Sequence, residues 1–159
     1  MKVLNMIIVG FIIMSCSYAE KTKNIFLSED LGISMDVPVA RVTKAPIYQI
    51  AMFFLPPVDG FAANINIQKH VFGSSIDAYV KLSISQLEQL GIKILDKKIS
   101  ENEATLEYKG RAQGKDLHWY AKAVKGEQSI YLVTATGLEK NWLTQKDELL
   151  KSVDSFKSF

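Results

Sequence analysis

The stretch EATLEYKGRAQGKDLHWYAKAVKGEQSIYLVTA, residues 103–135, decides the fold of this chain. Within it, 103–111, 116–124 and 129–135 are rich in aromatic and β-branched residues, which suit a pleated, packed surface. The separators AQGK and KGEQ are hairpin-sized. Connections this short argue for antiparallel neighbours, because a parallel pair needs a crossover of about a dozen residues or more. If AQGK closes a hairpin, Arg111 faces Asp116, Lys109 faces His118 and Glu107 faces Tyr120. Leu106, Tyr108, Leu117, Trp119 and Ala121 then share one face, which reads as core. The opposite face carries Lys109, His118, Tyr120 and Lys122.

The pattern extends upstream. Residues 92–99, IKILDKKI, form a further strand-like segment joined through SENE. Before it the period changes: Ile76, Tyr79, Val80, Ile84 and Leu87 recur every three or four residues, the apolar stripe of a helix over 75–90. Ser74 or Ser75 suits its N-cap, Asp77 its first turn and Gly91 its end. AANINIQKH (62–70) alternates, with Ile65 and Ile67 on one side and Asn64, Asn66 and Gln68 on the other. The apolar run 47–55 reads as a strand covered on both faces. PPVDG (56–60) is a turn. IFLS and GISMDV form a first hairpin with Gly32 near its turn, and Pro38 and Pro46 bracket a connection. Downstream, Thr136 with Glu139 reads as a capping box opening a helix over 138–156, with Leu138, Trp142, Leu149, Val153 and Phe156 on one stripe. The expected order is ββββ-α-ββββ-α in a single α+β domain, a mostly antiparallel sheet with two helices packed on it.

GISMDVP, ANINIQ, ATLEY, HWYAKAVKGEQSIYLVTATG and the terminal LLKSVDSFKSF together resemble the PsbP-like superfamily, over nearly the whole chain from Ile25 onward. The resemblance implies an antiparallel sheet sandwiched between helices. Its members include an extrinsic subunit of the photosynthetic oxygen-evolving complex, a nuclear transport adaptor and small exported bacterial proteins. They are mostly adaptors rather than enzymes.

The N-terminus reads as an export signal over 1–19: Lys2, then a run over 3–14 that is apolar apart from Asn5 and Gly10, then small polar residues. The run is shorter than the roughly 20 residues of a membrane span. Two processing rules compete over IIMSCSYAEK. Ser17-Tyr18-Ala19 before Glu20 suits ordinary signal peptidase and discards Cys16. Ile13-Met14-Ser15-Cys16 is similar to a lipobox, which would make Cys16 a lipid anchor and the expected route to a membrane. Residues 20–24 are a polar tether and 25–159 the domain. The expected location is the periplasm, soluble or tethered.

Composition narrows the chemistry. With 48% hydrophobic and 23% charged residues the chain is an ordinary globular one. Its 19 Lys and Arg against 17 Asp and Glu give no electrostatic footprint for nucleic acid. Apart from Cys16, the metal-binding types reduce to two distant histidines, His70 and His118, and to scattered carboxylates without calcium-loop spacing. No G-x-S-x-G elbow or glycine-rich phosphate loop is present. No cofactor and no catalysis are expected. Two surfaces remain as partner-binding candidates: the Lys109, His118, Tyr120, Lys122 face and the tip of FFLPPVDGF, with Val58 and Phe61. For each, a bland reading stands beside the sharp one: a solvated sheet face, and a loop folded back over the core. The leading expectation is an exported, non-catalytic adaptor that docks an envelope protein. The alternative is a carrier of a small apolar ligand or lipid held between sheet and helix.

Overall fold

A computed structural model describes residues 25–38, 41–43 and 49–159. The export signal, the tether and Cys16 lie outside the described residues. In chain order the elements are β1 (Ile25–Ser28), β2 (Ile33–Asp36), β3 (Arg41–Thr43), β4 (Gln49–Phe54), β5 (Asn64–Val71), α1 (Ile76–Gln89), β6 (Lys93–Ile99), β7 (Glu103–Ala112), β8 (Lys115–Lys125) and β9 (Ser129–Leu138). A single 3-10 turn (Glu139–Asn141) then leads into α2 (Trp142–Asp154) and a short β10 (Lys157–Ser158). The main sheet has seven strands in the order β3-β4-β5-β9-β8-β7-β6, and β1-β2-β10 make a small second sheet. Every described pairing is antiparallel.

The sheet is sandwiched as its residue pattern requires. On one face α1 packs Ile76, Tyr79, Val80 and Leu87 against Leu106, Tyr108, Trp119 and Ala121. On the other, α2 and the small sheet pack Trp142, Leu149, Val153, Ile33 and Met35 against Phe53, Ile65, Ile67 and Val133. The central strands are therefore covered on both sides. In β4, Ala51, Met52 and Phe53 are buried in succession, the signature of a strand with no solvent face.

Local chemistry sets the helix ends. Ser75 has extended backbone angles and its hydroxyl accepts from the Ala78 N–H at 3.2 Å, capping α1. Gly91, at φ +74°, closes it. The second helix departs from expectation. Thr136 remains in β9, the strand runs on to Leu138, and Asn141 precedes α2 without a side-chain cap. Glu139 is drawn away from any capping box by Lys109 and His118 on the sheet. Two short strands, β3 and β10, were not foreseen; among the described residues each pairs with one strand, and each has too few residues to show a period.

Gly32 joins the chain's two described ends. It closes the β1–β2 turn at φ +60°, donating to the Glu29 carbonyl at 3.0 Å, and its own carbonyl accepts the Phe159 N–H at 2.6 Å. A side chain there would collide with the Phe159 carbonyl. Gly32→Ala is expected to cost about 2–3 kcal/mol, combining left-handed strain with loss of the C-terminal strand. Gly60→Ala, at φ +73° but in open space, carries the strain alone and should cost about 1–2 kcal/mol. Urea unfolding of both variants separates the two contributions; equal losses would show that the C-terminus contributes nothing.

Candidate functional site

The β7–β8 hairpin has the expected register: Arg111 opposite Asp116, Lys109 opposite His118, Glu107 opposite Tyr120. Ala112 and Lys115 also pair, so the turn proper is Gln113-Gly114, at φ 50° and 75°. Two residues of positive φ give the twist that suits a tight hairpin. Lys109, His118, Tyr120 and Lys122 do share a face. That face is not a solvated surface, however, because α2 lies across it, leaving His118 5% and Lys122 9% exposed.

Burial forces each of these polar groups to find a partner. At the start of α2, His118 Nδ1 lies 2.6 Å from Glu139 Oε2 and its Nε2 lies 2.8 Å from Glu107 Oε1. Both ring nitrogens face carboxylate oxygens. The arrangement is fully satisfied only when both nitrogens carry hydrogen, as in the imidazolium. Lys109 Nζ contacts Glu139 Oε1 at 2.5 Å, and the Trp142 indole N–H donates to Glu107 Oε1 at 3.3 Å. The Trp142 ring lies flat on the imidazole, centroids 4.1 Å apart and planes 13° off parallel. Gly137, directly across from His118 on β9, makes room for it: a Cβ there would sit 3.2 Å from Trp142 Cε3. Burial pushes the Glu139 carboxyl up, but the bonds from Lys109 and His118 outweigh it and hold Glu139 below its usual value.

At the far end of α2, Tyr120 donates to Asp154 Oδ1 at 2.8 Å and Lys122 donates to the Asp154 carbonyl at 3.1 Å. A cation on the last carbonyls of a helix complements its dipole. Lys122 also pairs with Glu103 at 3.2 Å. Burial and the Asp154 carboxylate raise the Tyr120 phenol to about 12. The four residues thus tie α2 down at both ends.

The 56–61 loop is a tight turn. Val58 and Phe61 exchange backbone hydrogen bonds at 2.9 and 3.0 Å around Asp59 and Gly60, both at positive φ. Phe61 folds back against the α1-side core, whereas Val58 stays 45% exposed. Asp59 Oδ2 pairs with Lys140 at 2.9 Å and accepts from the Asn141 amide at 3.2 Å, bonds that hold its carboxyl below the usual range. His70, the other histidine, accepts the Tyr79 hydroxyl at Nδ1 (2.8 Å) and donates from Nε2 to Gln68 Oε1 (3.1 Å). Burial lowers its pKa, in keeping with a neutral ring. Among the described residues, no group of three or more His, Cys, Asp or Glu is arranged to hold a metal ion.

This geometry has known counterparts. Cyanobacterial PsbP of Synechocystis sp. PCC 6803 aligns over 92% of this chain and 99% of its own, with TM-score 0.64 and 12% identity. The fold is PsbP-like. Two further proteins share it: LpqN of Mycobacterium tuberculosis (79% and 82% covered, TM-score 0.57, 13% identity) and PA94 of Pseudomonas aeruginosa (77% and 88%, 0.55, 13%). No family model and no curated protein matches the sequence. At such identities the likeness carries the PsbP-like architecture and no residue roles.

Glu107, Glu139, Asp154 and Gly137 complete the site. Glu107 was named as the residue facing Tyr120 and Glu139 as half of a capping box, neither as a partner of His118; Asp154 and Gly137 were not singled out. These roles follow from where α2 lies.

His118→Gln removes the ring that bridges Glu107 and Glu139 and is expected to cost about 2–3 kcal/mol, because their facing oxygens lose that partner while both carboxylates still touch water. Chemical denaturation near neutral pH measures it; a loss under about 0.5 kcal/mol would match an ordinary surface substitution and show that the carboxylates do not need the ring. The pH dependence has a defined sign. Glu139 titrates lower in the fold than in the unfolded chain, so its contribution is whole above its ordinary value of 4.5 and fades as pH falls through its folded value. Lys109→Met should therefore be less stable than wild type at pH 7, the gap closing in acid. A gap constant with pH would mean that Lys109 acts through its alkyl stem alone.

Proposed function

We propose that this chain is an exported, non-catalytic adaptor domain of a bacterial cell envelope, docking a protein partner through the end formed by the 56–61 turn and the start of α2. The observation that carries this reading is the latch at Asp59. It fixes an exposed apolar tip, Pro56, Pro57 and Val58, against the segment that leads to Leu143, itself 79% exposed on the first turn of α2. Exposed apolar side chains on a backbone tied down by an ion pair lose little entropy when they bind, which favours recognition. The Lys109, His118, Tyr120, Lys122 face serves instead to hold α2, so its charges are already engaged inside the domain.

Two further observations support the setting. The leader over 1–19 has the organisation of an export signal. LpqN, which shares the fold, is described as involved in cell envelope biogenesis. The carrier reading finds less support. The space between α1 and the sheet amounts to about 50 Å³, against about 150 Å³ in a cavity that takes up a single benzene ring.

Two experiments test the proposal. Capture from the native envelope should retain one specific protein on the wild-type domain and lose it at least tenfold, about 1.4 kcal/mol, with Val58→Asp combined with Leu143→Asp. The variant should keep the wild-type unfolding midpoint. Val71→Asp, at an 85% exposed position at the far end of β5, is the control; equal capture by all three proteins would sink the docking surface. The intact mass of the protein from its host should correspond to a chain starting at Glu20. A diacylated or triacylated Cys16 would instead place the same domain on a membrane tether, and retention of residues 1–19 would overturn export by cleavage.

A further inference from the structure

The sheet face under α1 contains a cavity of about 50 Å³, and its chemistry is unlike that of the rest of the core. Its floor is made of small side chains. Ala104 and Ala123 are cross-strand partners, and Ala121 sits beside them opposite Thr134. Ser83 is the α1 residue of matching size above them, and it is 7% exposed. Three alanines below and a serine above leave the space that leucine or valine would fill. One wall is polar: Asn66 and Gln68 from β5 and Thr134 and Thr136 from β9, each less than 10% exposed. Buried amides and hydroxyls need partners, and two here have them within the domain: Gln68 Oε1 accepts from His70 Nε2, and Thr134 is hydrogen-bonded to Tyr108. Across from this wall, Gln86 Oε1 is a buried acceptor with no hydrogen-bond partner.

The lining has no Asp, Glu, Lys, Arg or His. Its two tyrosines, Tyr79 and Tyr108, have their pKa values pushed above the ordinary range by burial, so they too are neutral. A charged ligand would find no counter-charge here. The volume corresponds to about four waters, or to a few heavy atoms of a solute. Leu90 lines the cavity while remaining 68% exposed, which marks the mouth at the C-terminal end of α1.

We infer that this cavity is a binding site for an uncharged primary carboxamide, either a small molecule or the amide end of a longer one that leaves past Leu90. A carboxamide carries donors and an acceptor on one three-atom group. Its N–H satisfies Gln86 Oε1 while its carbonyl takes a hydrogen from the amides and hydroxyls of the Asn66–Thr134 wall. A methyl or methylene beyond it lies on the alanine floor. This site is separate from the docking end, and it takes a polar ligand rather than a lipid.

Titration of the full mature chain with acetamide and propionamide, followed by protein NMR, tests it. Resonances of Ala121, Ala123, Thr134 and the Gln86 side-chain amide should shift saturably, with Kd in roughly the millimolar range allowed by so few atoms. Acetate, matched in size but charged, should leave them unmoved. Gln86→Leu should weaken propionamide at least fivefold while raising the unfolding midpoint, because it removes the orphan acceptor. Ala123→Val, which fills the floor, should abolish binding and serves if the first variant does not fold. Shifts that never saturate, an equal response to acetate, or unchanged binding in Gln86→Leu and Ala123→Val would each overturn the site and leave a pocket for water alone.

Discussion

The structure depends on how α2 is held against a strand whose facing side chains are polar. Along β8, His118, Tyr120 and Lys122 point at the helix, and a helix cannot cover three such groups unless each finds a partner. The solution is to bind both ends. Glu139 and Trp142 engage His118 at the start, and Asp154 receives Tyr120 and Lys122 at the finish. Between these ends, Leu149 and Val153 supply ordinary apolar packing. Apolar contact holds the helix down without fixing where along the sheet it lies. The charged ends do fix it, because each partner is one residue and not a surface. Buried ion pairs are weak sources of stability but well suited to specifying one arrangement over its neighbours.

This division explains what could be read from the sequence and what could not. The β7–β8 register followed from two hydrophobic runs and the AQGK separator between them, because a period of two leaves little freedom once the loop is placed; the structure shortens the turn itself to Gln113 and Gly114 without changing the register. The stripe of α1 and its Ser75 cap were legible for the same reason: they are local. Glu139 was misread. Its spacing from Thr136 fits a capping box, and the competing partners, Lys109 and His118, are distant in sequence. The polar face of β8 was misread with it. Alternation of polar and apolar residues distinguishes the two sides of a strand but not which polar side a helix will cover. Trp142 was correctly assigned to the core, yet its stacking partner is the His118 imidazole and not an aliphatic side chain.

The two faces of the sheet solve the same problem in opposite ways. Under α2, polar residues are large, two of them lysines, and they are satisfied across the interface. Under α1, they are small and neutral, and at Gln86 one acceptor is left over. Against α2 the imidazole and indole rings stack at 4.1 Å. Neutral residues against α1 enclose space beside the alanines. A site for a ligand therefore falls naturally on the α1 side, and the mechanical fastening falls on the α2 side.

The link between fastening and surface is the four-residue segment from Glu139 to Trp142. Its side chains divide between two directions. Glu139 turns in to His118 and Lys109, Lys140 and Asn141 turn out to Asp59, and Trp142 turns back onto His118. A 3-10 turn suits this task, because its three residues per turn point successive side chains about a third of a circle apart. The 56–61 tip is thereby attached to the most constrained part of the domain, although Asp59 and Lys140 are themselves exposed. Exposed ion pairs contribute little stability. Here the pair has a different value: it holds Val58 and Leu143 to one framework before any partner arrives, so an apolar contact made at that end does not first have to order the loop that makes it.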